Sequence, residues 1–277
     1  MLDLSIVVVN FNARGLLRQC LKSLFKNLEN TKLTYKVIVV DNASNDGSSD
    51  MVRETFPSIR LIPLEQNRGY ARAVNIGIKS IECRYYLILN MDTTIVQGQA
   101  CERMFRFMEM HKDVGLAGPK LINPNGTTQA STCTFPKLLY PLYRRSFLGK
   151  LPTAKKAIRE YLMLDWDHNE TKPVDWVIGT GLLVRNEAIK QVGLMDERFF
   201  MYFEDVDWCR RFWENGWSIF YIHDIEIVHY HSRGSASKGG IRSILFNRLT
   251  RVHIFSWIKY CFKYSGKELP HENQKNR

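Results

Sequence analysis

Glu204, Asp205 and Asp207 stand together in MYFEDVDWCRRFWENGW, the stretch from Met201 to Trp217. Asp205 and Trp208 are spaced i, i+3, as are Trp208 and Arg211; Trp208 and Phe212 are spaced i, i+4. This predicts a helix with one apolar face and an acidic first turn. Helix-end charge alone would account for such acids, since the dipole and the free N–H groups favour carboxylates there. The rings of Phe199, Phe200, Tyr202, Phe203 and Trp208 argue for more. Two adjacent acids among aromatics are costly to desolvate, and a carboxylate held in a partly dry cleft has the properties of a general base. Asp205 and Glu204 are the catalytic candidates; Asp207 reads as structural.

The elements that must position these acids follow an alternating order. Leu4–Val9 is a β-branched apolar run of strand length ending at Asn10, and Leu16–Leu24 has helical spacing. Val37–Val40 is a second strand ending at Asp41, followed by the polar turn NASNDGSSD and a short helix near Met51–Thr55. Ile59–Pro63 reads as a strand. Ala71–Ile81 reads as a helix entered through Asn67-Arg68-Gly69-Tyr70. Tyr85–Leu89 is a fourth strand ending at Asn90-Met91-Asp92, and Gln97–His111 is a helix. The alternation predicts an α/β, doubly wound, mostly parallel sheet. Ligands of such sheets bind beyond the carboxyl ends of the strands. Asn10, Asp41 with Asn42, and Asn90 with Asp92 occupy three such ends. Each alone is also what an Asx turn or helix cap requires. Together they supply amides for a base, a carboxylate for a ribose and a carboxylate for a metal. Neither G-x-G-x-x-G nor G-x-x-x-x-G-K-[ST] is present. A diphosphate bound here would need another counter-charge, and a divalent cation on Asp92 is the natural one, Mg²⁺ or Mn²⁺.

Later segments are less regular. Leu121–Gly126 predicts a turn between short strands. Residues 135–172 mix aromatic, basic and proline residues and predict a partly helical insertion. VDWVIGTGLLVR, Val174–Arg185, predicts a strand pair or bent strand, with Gly179 and Gly181 allowing close backbone approach. Trp217–Ile222 and Ile225–Tyr230 predict two further strands, the second leading to His229 and His231. Trp176 and the aromatics at 199–203 suit either stacking on a ligand or core.

The composition, 45% hydrophobic and 24% charged over 277 residues, is that of a folded protein. Six scattered cysteines without a C-x-x-C pair argue against a zinc site or disulfide scaffold. Together with an N-terminus that lacks a basic, long apolar leader, they lead us to expect a cytoplasmic protein. The net charge is +11, and the residues from 231 onward carry ten Lys or Arg against two Glu, so most of the excess lies in the tail. Ile244, Leu245, Leu249, Val252 and Phe255 form a helical apolar stripe there, interleaved with Arg242, Arg248, Arg251, Lys259 and Lys263. The stripe suits either an interfacial helix on anionic membrane or a helix packed on the main domain. Nucleic acid is disfavoured as a partner, since no recognised binding motif occurs and the acids at the cleft would repel phosphates. A non-catalytic sugar-binding module would not need both Asp92 and the Glu204–Asp205 pair.

SIVVVNFN, VIVVDNASNDGS, QNRGYARAVNIGI, YYLILNMDT, VDWVIGTGLLVRNEAI, VGLMDERFFMYFEDVDWCRR and IVHYHSRGS, in this order and spacing over Leu4–Ser235, resemble family 2 glycosyltransferases of the bacterial rhamnosyltransferase branch. The resemblance implies a GT-A fold and inverting transfer from a nucleoside-diphosphate sugar to a glycan or lipid-linked glycan acceptor. By branch the donor would be dTDP-L-rhamnose, with a UDP-hexose as the alternative. It implies donor contacts at Asn10, Asp41, Asn67, Arg68, Gly69, Asn75 and Asn90, metal binding by Asp92 with His229 close by, and Asp205 as base. Asn90 replaces the first acid of the family's D-x-D. The implied organisation is a transferase domain over 1–235, with a nucleotide-sugar half to about 118 and an acceptor half beyond it, then a basic helix and tail over 236–277.

Overall fold

The computed structural model describes residues 1–136, 149, 151–230 and 247–270. His231, Arg242, Ile244, Leu245, the 235/236 boundary and residues 137–148 and 150 of the 135–172 insertion lie outside these residues.

The strands are β1 (Leu2–Asn10), β2 (Tyr35–Asp41), β3 (Arg60–Pro63), β4 (Cys83–Asn90), β5 (Thr93–Ile95), β6 (Val114–Ile122), β7 (Thr132–Cys133), β8 (Lys172–Pro173), β9 (Trp176–Val177), β10 (Leu182–Arg185) and β11 (Ser218–His229). The helices are α1 (Arg14–Leu28), α2 (Ser48–Thr55), α3 (Tyr70–Lys79), α4 (Ala100–Met110), α5 (Pro152–Tyr161), α6 (Asn186–Val192), α7 (Glu204–Glu214) and α8 (Arg248–Lys263). The main sheet runs β3-β2-β1-β4-β10-β6-β11-β5, with β8 also on β11; β7 and β9 form a small separate ribbon.

The first four strands are parallel, as the sequence pattern predicts. Their inner residues are apolar on both faces because helices cover both. Ile6 and Val8 pack with Leu17, Leu21 and Leu24 of α1, whereas Val7 and Val9 pack with Ala73 and Val74 of α3. This division of alternate residues between two cores is the doubly wound arrangement.

The second half is mixed. β10 lies antiparallel between β4 and β6, and β6 is parallel to β11. The two strands within Val174–Arg185 do not pair with each other: β9 joins β7, and β10 enters the main sheet. The two strands expected over 217–230 are one strand with a register shift, Ile222 pairing with Pro119 and Glu226 with Lys120. Pro119 lacks an N–H for the ladder, and the irregularity falls where that donor is missing.

Helix α8 packs on the main fold. Its Thr250, Ser256 and Tyr260 are buried. Lys263 Nζ lies 2.7 Å from Asp196 and 2.5 Å from Asp207, and Lys259 Nζ donates to the Arg198 carbonyl at 2.7 Å. Two lysines that interleave the apolar stripe are thus turned toward protein oxygens, as the packed-helix alternative expects. No described helix is long and apolar enough to cross a membrane.

Candidate active site

The sheet register brings the strand tips together. Asn10 is opposite Asp41 in the β1–β2 ladder, and Val9 is opposite Asn90 in the β1–β4 ladder. Asn10 Nδ2 donates to Asp41 Oδ1 at 3.2 Å and to Ser44 Oγ at 3.0 Å. Ser44 and Ser49, three and eight residues beyond Asp41 in the serine-rich turn, both donate hydroxyl hydrogen bonds to its carboxylate. Asp41 is buried, and these bonds fix its orientation.

Asn42 carries the order to the next loop. Its Nδ2 donates to Asn67 Oδ1 at 3.0 Å, and its Oδ1 accepts from the Arg68 N–H at 2.8 Å. Asn67 Oδ1 also accepts from the Gly69 N–H at 2.9 Å, an Asx turn that leaves the Arg68 side chain exposed at the rim. Gly69 has φ +86°, and a Cβ there would lie 2.4 Å from the Phe200 carbonyl oxygen. Only glycine permits this approach, which lets the Tyr70 N–H donate to Phe200 O at 2.7 Å. Asn75 is engaged elsewhere: its amide donates to Met195 O at 2.8 Å and to Glu197 Oε1 at 3.1 Å, and its Oδ1 accepts from the Met195 N–H. It ties α3 to the chain leading into the acid pair.

At the tip of β4, Asn90 Nδ2 donates to Thr180 Oγ1 at 2.9 Å. One residue back, the Gly179 N–H donates to Asp205 Oδ2 at 2.9 Å, and the Gly179 carbonyl accepts from Tyr70 Oη at 2.6 Å. Residues 179 and 180 therefore connect the fourth strand's tip to the acid pair. Burial above all pushes the Tyr70 hydroxyl well above its usual pKa, and the neighbouring acid groups add to the rise.

Asp92 meets His229 through the sheet. β5 pairs antiparallel with β11, setting His229 opposite Thr93, and the Tyr230 N–H donates to Asp92 O at 2.8 Å. His229 Nε2 is 3.5 Å from Asp92 Oδ1, and its Nδ1 is 2.8 Å from Gln129 Oε1. Asn10 Oδ1, Asn90 Oδ1, Asp92 Oδ1 and Glu204 Oε2 are buried without a hydrogen-bond donor among the described residues. Such orphaned oxygens call for an explanation, and a bound cation or ligand N–H is one. Asp92 with His229 offers oxygen and imidazole to Mg²⁺ or Mn²⁺, with further positions left for phosphate oxygens. No cluster of three or more metal-ligating side chains occurs among the described residues.

The acid pair begins α7. Burial raises the pKa of both carboxyls, and Glu204 well above its ordinary value because the Asp205 charge adds to its own burial. Asp205 accepts N–H bonds from Gly179 and Val206, which favour its ionised form. Glu204 is 5% exposed and has one oxygen unsatisfied. The two carboxyls therefore ionise unequally, Asp205 more readily than Glu204. Asp207 is fully buried and bound to Arg211, Lys263 and Tyr264, a structural knot as its sequence position suggests. Trp176, Phe199 and Phe203 are core residues.

Sequence reasoning missed Tyr70, Thr180 and Gln129, which touch site residues from distant segments. The serines after Asp41 were visible in NASNDGSS and carry their own local signal.

This geometry is that of a glycosyltransferase of GT-A fold. The chain belongs to glycosyl transferase family 2, whose model matches residues 5–159. Over 217 residues it is 30% identical to the N-acetylglucosaminyl-diphospho-decaprenol L-rhamnosyltransferase of Mycobacterium tuberculosis, covering 74% of this chain and 70% of that protein. It is 27% identical to the dTDP-rhamnosyl transferase RfbF of Shigella flexneri, covering 78% of this chain and 67% of the relative. The crystal structure of GalNAc-T7 with UDP, GalNAc and Mn²⁺ shares the fold, with a TM-score of 0.63 at 15% identity; the match covers 83% of this chain and 44% of that one.

Proposed function

We propose that the chain transfers a sugar, with inversion, from a nucleoside diphosphate to a hydroxyl of a glycan or lipid-linked glycan acceptor at the inner face of the cell membrane. dTDP-L-rhamnose is the proposed donor. The observation that supports the reading is the bridge through Gly179 and Thr180, which hydrogen-bond the Asp205 carboxylate and the Asn90 side chain respectively. The names of the two curated relatives support the donor and the lipid-linked acceptor.

In this reading Asn10, Asp41, Asn67, Arg68, Gly69 and Asn90 hold the nucleotide side. The Asp41 carboxylate is oriented for ribose or base, and the exposed Arg68 guanidinium can reach phosphate. Asp205 takes the proton of the acceptor hydroxyl as its oxygen attacks the anomeric carbon. Its raised pKa makes it a stronger base than a solvated aspartate, and the Gly179 and Val206 N–H groups keep it ionised. Glu204, protonated, can donate to the acceptor or order the turn. Asn75 braces the 195–197 loop and serves the site indirectly. Asp92 and His229 would hold Mg²⁺ or Mn²⁺, which when bound supplies positive charge for the departing diphosphate.

The test is release of nucleoside diphosphate from a panel of dTDP, UDP and GDP sugars with a lipid-linked acceptor. Release from dTDP-L-rhamnose is expected, with a loss on the order of 10²–10⁴-fold in Asp205→Asn and donor binding retained. An unchanged rate in that variant removes the base assignment; release only from a UDP sugar removes the donor.

A further inference from the structure

The two sides of α8 have opposite character. Ser256 Oγ donates to Met201 O at 2.8 Å, the His253 ring packs on Tyr202 and Phe203, and Tyr260 packs on Phe203. This side grips the turn that immediately precedes Glu204 and Asp205. The other side faces solvent: Phe255, Ile258 and Phe262 are 62%, 36% and 80% exposed. Their spacing of i, i+3, i+7 puts them in one stripe. Arg248 and Arg251 are also exposed, whereas the Lys259 ammonium is turned to the Arg198 carbonyl. No acid occurs from Arg248 to Lys267, and the segment sits in the most basic part of the chain.

Two exposed phenylalanines in one stripe are not what a solvated helix presents. Rings rimmed by arginine fit the boundary of an anionic bilayer, where the rings enter the acyl edge and the cations meet headgroups. From this charge and apolar pattern we infer that the outward stripe of α8 docks on an anionic lipid surface. The stripe differs from the one the sequence pattern suggests: Leu249 and Val252 are partly covered, and Lys263 is committed to Asp196 and Asp207. Docking sets the catalytic turn about one helix diameter, ~10–12 Å, from the lipid surface. That is within the reach of a lipid-linked acceptor's sugar. The inference adds a partner to the transferase reading, but its assay contains neither donor nor acceptor, so the two can fail separately.

The experiment is co-sedimentation of the full chain with vesicles of phosphatidylglycerol and phosphatidylcholine, and with vesicles of phosphatidylcholine alone. Binding to the anionic vesicles is expected, weakening with salt. It should fall at least about tenfold in Phe255→Ser/Phe262→Ser and about fivefold in Arg248→Gln. The Arg248→Gln variant serves if the double variant does not fold. Equal binding to both vesicle types, equal partitioning of wild type and the folded variants, or no binding by wild type overturns the inference. So does light scattering that shows a wild-type dimer, a monomeric double variant and no vesicle-bound protein, which would make the stripe a contact between two copies.

Discussion

Glu204→Gln isolates the proton that the fold forces onto the acid pair. The glutamate is 5% exposed, leaves one oxygen without a donor, and sits beside a carboxylate that two backbone N–H groups keep charged. Its pKa is therefore raised well above 4.5, by burial first and by the Asp205 charge second. An acid whose folded pKa exceeds its unfolded value binds more proton in the native state. Its contribution is present in full below pH 4.5 and is lost as pH rises toward the raised value. The linkage slope for one proton is at most about 1.4 kcal/mol per pH unit. Glutamine has nearly the same shape and no proton to lose. Urea unfolding of wild type and Glu204→Gln at pH 5, 6, 7 and 8 should show wild type losing ground to the variant at each step, until Glu204 ionises. The acid limb of the activity profile, which reports Asp205, should stay in place, because Glu204 is already neutral there. Stability curves that run parallel across this range would refute the assignment of the proton to Glu204.

Two further substitutions address the rest of the site. Asp92→Ala should weaken nucleotide-sugar binding chiefly when Mg²⁺ or Mn²⁺ is present; calorimetry with and without chelator reads the difference, and activity unchanged in excess chelator would remove the metal role. Gly69→Ala must move the Phe200 carbonyl, 2.4 Å from the added Cβ, and accept φ near +86°; a loss of about 1–3 kcal/mol in thermal or urea unfolding is expected, together with weaker donor binding.

The first half of the sheet was legible because its signals are local. Each parallel strand is a short β-branched run ended by a polar residue, and ladder register then forces the three tips together. The second half hid its order in non-local pairing. β6, VGLAGPKLI, contains two glycines and a proline, residues that mark a turn or edge, yet it lies inside the sheet between β10 and β11. Its place is set by tertiary packing: a Cβ at Gly115 would lie 2.6 Å from the Phe212 ring, so the absence of a side chain lets α7 pack against it. The contacts of Asn75 were equally out of reach, since an asparagine on a helix entered beside the donor looks alike whether it faces a ligand or, as here, the backbone 120 residues away.

The tail shows how a segment that reads as an appendage becomes part of the main fold. Tyr202 and Phe203 both have φ +68°, the left-handed region, which costs of order 1–3 kcal/mol for each such non-glycine residue. Two in succession do not persist on local preference. They are held because Phe203 is buried against Tyr260 and His253, and because Ser256 secures the Met201 carbonyl just before them. The sharp turn they make starts α7 at Glu204, so that Asp205 falls in the helix's first turn and meets the Gly179 N–H. If α8 were lost, the strain would relax first at this turn, and the acid pair would lose its geometry before the sheet lost its order.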